Sequence, residues 1–202
     1  MIDGPAAINP AASIGAAGKE LLKSLPESHV LGVLVQEHDL IIGFLREVDA
    51  LRNRFMQTTT PDESRAIIDG MREYAWLLLG VESHQLREEE VVCLELEKLH
   101  ISRPPAILRQ EHNLLRPLQR WLVDLVTSGS EKMDPAILRA EIDGTVDRFI
   151  SNFMLHMQKE NEWLFPLTLE AIDDPAVWEK MRVQCDDIGY CFFTPVINTS
   201  RP

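Results

Sequence analysis

Two segments of the chain place histidine and glutamate four residues apart, His84-x-x-x-Glu88 and His156-x-x-x-Glu160. Two further histidines, His38 and His112, stand 46 and 44 residues before the first residue of each pair. On a helix, positions i and i+4 share one face about one turn apart, so each imidazole–carboxylate pair can reach one ion or two neighbouring ions. All six residues interrupt apolar stripes at mid-helix: Leu31, Leu34, His38, Ile41, Leu45 in the first, and Leu77, Val81, His84, Glu88, Val91 in the second. The third runs Leu108, His112, Leu115, Leu118 or Gln119, Leu122, Val126, and the fourth Ile142, Val146, Phe149, Phe153, His156, Glu160, Leu164, Leu167. Burying a carboxylate without compensation costs several kcal/mol, and no Lys or Arg lies on these stripes. Two divalent cations would supply the missing charge and leave room for a bridging hydroxide or oxide. Mixed imidazole and carboxylate donors suit iron, zinc, manganese or copper. Six ligands shared by two ions leave octahedral positions open for small molecules. Ferritin-like sites use Glu-x-x-His, the reverse order and a different spacing. The competing reading is a buried His–Glu hydrogen-bond network without metal.

The elements that carry these residues have legible ends. Ser24 with Pro26 and Glu27, and Thr60 with Pro61 and Glu63, read as capping boxes; Asp134-Pro135 and Asp174-Pro175 are further cap-plus-proline starts. Pro104-Pro105 separates two helices. The spacing predicts helices near 25–57, 61–99, 105–127 and 134–172, and a short one near 175–187. Gly70 and Gly144 fall inside them, and Pro117 and Pro166 should kink them. The expected fold class is all-α, an up-down four-helix bundle over 24–190 with a short C-terminal helix, a flexible leader at 1–23 and a tail at 191–202. The chain also repeats itself. Gln36-Glu37-His38 is echoed by Gln110-Glu111-His112 at an offset of 74, and His84 and Glu88 by His156 and Glu160 at 72.

Composition narrows the function. A net charge of −12 repels phosphate backbones and disfavours nucleic acid. No run of 18 apolar residues exists to span a membrane. Cys93, Cys185 and Cys191 are odd in number and form no CxxC, so they read as ordinary buried thiols of a cytoplasmic protein.

The pattern His38, His84-x-x-x-Glu88, His112, His156-x-x-x-Glu160 resembles the hemerythrin HHE cation-binding domain over about residues 25–170. Gln36-Glu37-His38, Glu111-His112 and the run from Glu160-Asn161 to Leu164-Phe165-Pro166 carry the likeness, and Asp186-Asp187-Ile188-Gly189-Tyr190 is similar to the tail of some hemerythrin-like proteins. The resemblance implies a four-helix bundle around a carboxylate-bridged, oxo- or hydroxo-bridged di-iron centre, with zinc or manganese as substitutes. His38 and His84 would hold one iron, His112 and His156 the other, and Glu88 and Glu160 would bridge. Oxygen-carrying relatives have a fifth His and a bridging Asp; this chain looks closer to the bacterial four-His type. The function implied is binding of small oxidants or gases (oxygen, nitric oxide, peroxide) for sensing, carriage or stress response, with a redox partner. The alternative is an enzyme of iron–sulfur repair or of peroxide or nitric-oxide reduction, although residues 1–24 lack the Cys that repair proteins commonly carry. Metal used only for stability is the third reading.

Other polar residues receive blander readings. His29 is half a turn out of phase with His38 and should face away, and His100 should complement a helix C-terminus. Glu37 and Glu111 read as a solvated face, or else as groups supporting the site or lining a polar route to it. Glu89 and Glu90 read as solvated, Trp163 as core or pocket wall, and Tyr74 as off the stripe.

Overall fold

Four rods of helix pack in a ring. A computed structural model describes residues 22, 24–26 and 28–195. The first rod is α1, Val30–Gln57. The second is α2 (Pro61–Leu79), α3 (Glu82–Arg87), the π-helical turn π1 (Glu88–Val92) and α4 (Cys93–Lys98). The third is α5 (Arg103–Asp124), π2 (Leu125–Gly129) and α6 (Ser130–Lys132). The fourth is α7 (Pro135–Lys159), π3 (Glu160–Leu164) and α8 (Phe165–Ala171). A final helix, α9 (Pro175–Ile188), lies across α1, α3 and π1. The first and third rods each pack against the second and fourth, and the short loops between successive rods give the up-down order. The fold is all-α, as expected, and the predicted leader lies outside the described residues apart from Leu22.

Several ends differ from expectation. α1 starts at Val30 rather than 25, because the His29 amide donates to the Pro26 carbonyl and His29 Nδ1 then accepts from the Leu31 amide at 3.2 Å. Thr60 precedes Pro61 but makes no side-chain cap; Thr58 instead donates to Glu63 at 2.6 Å. Asp134 and Asp174 do cap their helices. The second rod breaks at Gly80–Val81, where Gln119 Nε2 donates to the Leu78 carbonyl at 3.0 Å. The break shifts the helical phase, so Leu78 and not Leu77 enters the core. The rod ends on His100 at φ 63°, with Ile101 donating to the Leu96 carbonyl and His100 to that of Glu97. This is a Schellman stop without its usual glycine, rather than a cation placed at a dipole.

Two apolar clusters fill the bundle. One holds Ile41, Leu45, Leu78, Val81, Leu115, Phe149 and Phe153. The other holds Leu31, Leu34, Val91, Leu96, Leu108, Leu164 and Phe165 beneath α9. On every rod the candidate site residues fall between members of one cluster and members of the other, so a water-poor band separates the two plugs. A groove of ≈ 930 Å³ between Phe55, Arg72, Met133 and Arg139 touches none of the six residues. Phe55 lies 17 residues beyond His38 on α1, about 25 Å at the helical rise.

Candidate metal centre

The six predicted residues meet. His38 and His84 bring their Nε2 atoms to 3.1 Å, and His112 and His156 bring theirs to 3.0 Å. Glu88 approaches His84 and His112, each at 3.3 Å, while Glu160 approaches His156 at 2.9 Å and His38 at 3.2 Å. Both carboxylates therefore touch both histidine pairs, and all six side chains are buried. Two four-residue sets result, His38–His84–Glu88–Glu160 and Glu88–His112–His156–Glu160, and within each the ligand atoms lie within 4.8 Å of one another.

The outer nitrogen of every imidazole is held by an acceptor. His38 Nδ1 lies 3.0 Å from Asn161 Oδ1, His84 Nδ1 2.7 Å from Glu37, His112 Nδ1 2.6 Å from Glu89 and His156 Nδ1 2.9 Å from Glu111. An ionised carboxylate can only accept, so the Nδ1 atoms donate outward and the Nε2 atoms are the ones turned toward the centre. All four oxygens of Glu88 and Glu160 are buried without a well-directed hydrogen bond; imidazole Nε2 atoms approach these two carboxylates at 2.9 to 3.3 Å. Imidazole nitrogens and carboxylates converging in an apolar band form a cradle for cations.

Three supporting residues depart from the solvated reading. Glu37 is buried rather than solvated, Glu111 is only partly exposed, and Glu89 is drawn inward. The π-helical turns explain Glu89 and Asn161. Each begins at a bridging candidate, Glu88 or Glu160, and its extra residue lets the next side chain also face a neighbouring rod. Pro166, lacking an N–H, lies just past π3; the second rod has Leu94 at the equivalent place. Arg87 was missed altogether. It is fully buried, donates to Glu37 at 2.6 Å, and lies under the Tyr190 ring at 4.7 Å. The repeat contained the signal, because Arg87 stands to Glu37 and His84 as Lys159 stands to Glu111 and His156.

The chain matches the hemerythrin HHE cation-binding domain over residues 29–168, with a second match over 103–192. It belongs to that family. The second match begins 74 residues after the first, the offset of the internal repeat, so the hemerythrin-like unit is itself a duplicated helix pair. No curated protein sequence matches the chain.

Charge in this hemerythrin-like centre is tightly balanced. Burial alone would lower the pKa of His84, but the Glu88 charge and the Glu37 hydrogen bond raise it well above its ordinary value. His156 is likewise depressed by burial yet lifted by Glu160 and Glu111, to about 10. Burial pushes Glu37 up, but His84, Arg87 and Thr194 together bring it down to about 2. Glu160 is held well below the carboxylate range by His156 and His38 despite its burial. Buried carboxylates here persist only beside positive charge, which protons or metal cations can supply. Residues 190–194 close one side. Cys191 is buried, with Sγ 3.4 Å from Ser83 Oγ, Thr194 donates to Glu37, and the Phe193 ring lies 5.1 Å from Phe44. His29 does face away from the centre, against Trp178 at 4.5 Å.

Proposed function

We propose that this chain holds two iron ions, one between His38 and His84 and one between His112 and His156, with Glu88 and Glu160 bridging, and that it binds small oxidants or gases there. The observation that carries the reading is the convergence of four Nε2 atoms whose Nδ1 positions are committed to acceptors. A metal-free His–Glu network would need a hydrogen bond for each carboxylate oxygen of Glu88 and Glu160, and these oxygens have none with good geometry. When bound, an iron pair supplies redox chemistry and open coordination positions. The chain's own contribution is to fix imidazole orientation through Glu37, Glu89, Glu111 and Asn161. The apolar plugs above and below exclude bulk water and strengthen every charge interaction inside.

Purified protein from iron-replete cells should contain about two metal ions per chain, the number its two ligand sets provide. Glu160→Ala should lose most of that loading while the far-ultraviolet dichroism stays helical. Full iron retention by that variant would remove Glu160 from the bridge. Zinc or manganese in place of iron would redirect the reading toward a non-redox site. Absorption spectra of the reduced, loaded protein, exposed in turn to oxygen, peroxide and nitric oxide, separate stable binding from turnover.

A further inference from the structure

The two halves of the centre are alike in residues and unlike in access. The side chains of Arg87 and Glu37 are 1% and 0% exposed, whereas those of their repeat equivalents, Lys159 and Glu111, are 42% and 20% exposed. Over the first pair lie Tyr190, Cys191 and Thr194. Beside the second lies a cavity of ≈ 20 Å³ whose wall includes Ile107, Glu111, Lys159, Glu160 and Trp163. That volume admits one water-sized molecule. Glu160, a bridging candidate, is part of that wall, and its carboxylate lies buried behind it. An ion pair this exposed is weakly held, and parting Lys159 from Glu111 moves only side chains. Opening the other side requires lifting a backbone segment.

We infer that exogenous ligands reach the centre through the Glu111–Lys159 mouth, past Trp163, on the His112–His156 side. Lys159 is the latch and Ile107 and Trp163 set the width. At rest the mouth admits one water-sized molecule, so the ligand class it favours is the smallest molecules, diatomic gases and peroxide. The inference rests on the proposed iron centre.

The test is nitric oxide association with the reduced, iron-loaded full chain, followed by stopped-flow absorption, together with Co²⁺ uptake by the metal-free protein. Nitric oxide is neutral, so removing the lysine charge does not alter its attraction. Lys159→Met should speed association severalfold, and Ile107→Trp should slow association and dissociation together by about tenfold, within the span of on-rates among variants of one site. Equilibrium affinity and metal content should stay at the parent values, and Co²⁺ uptake should follow the same order. Phe192→Ala, on the covering segment, should match the parent chain. Two ions bound with rates indifferent to both mouth substitutions, or faster association in Phe192→Ala, overturns the route while leaving the centre intact. A parent chain that takes up neither Co²⁺ nor iron overturns the centre and the route together. Should Ile107→Trp fail to fold, Lys159→Met alone decides.

Discussion

Each histidine of the centre is oriented by one atom behind it, and that arrangement sets opposite pH dependences for the metal-free and loaded protein. In the metal-free chain His84, His112 and His156 have pKa values raised above the ordinary 6.5. Their contribution to stability is full below about 6.5 and is lost as pH rises through the folded values, about 10 for His156. Glu37, Glu88 and Glu160 are lowered from 4.5, so theirs is full above about 4.5 and is lost on acidification. The metal-free protein should therefore be most stable between these limits. Metal must displace protons from the imidazoles, so the rise in melting temperature on loading should be larger at pH 8 than at pH 6. Calorimetry of both forms checks this; a rise that shrinks with increasing pH would contradict imidazole ligation. At this scale the ligands themselves were legible, because a His or Glu inside an apolar stripe loses its hydration and must find a partner or an ion there. Glu37 and Glu111 were legible only as one of two readings, since a face next to the inner stripe looks solvated until a neighbouring rod covers it. Arg87 depends on residues about a hundred positions away, Tyr190 and Cys191, which no local pattern reports.

Among the elements, periodicity located all four rods and the short final helix, but it carried no trace of the π-helical turns. A pattern built on 3.6 residues per turn assigns Glu89 outward; one extra residue after Glu88 brings it back to His112. The rods also hold identifiable weaknesses. A Cβ at Gly144 would meet nothing within 4 Å, and the residue lies inside α7. Gly144→Ala should stabilise the protein by about 0.5–1 kcal/mol. His100 holds a left-handed conformation that suits glycine, and His100→Gly should add roughly 1 kcal/mol. Urea midpoints at constant m-value measure both. A loss of stability in His100→Gly would mean that its side chain contributes more than its backbone strain costs.

For the whole molecule, the covering segment 190–194 ties the end of the described chain to its centre. A chain ending at Gly189 should keep the bundle yet lose about 2–3 kcal/mol from the burial of Cys191 and Phe193. It should also release bound metal faster, because Glu37 and Arg87 would meet water; unchanged stability and metal release would make the segment ornamental. Duplication explains why the two histidine pairs correspond so closely, and a single departure from it sets them apart. Glu89 and Glu111, both anionic, stand behind His112 and His156, while the neutral Asn161 takes one of the two places behind His38 and His84. An anionic acceptor pushes more electron density onto the ring and the ion beyond it. Whatever cations the two sets hold, the His112–His156 set would thus offer the more electron-rich pair of imidazoles.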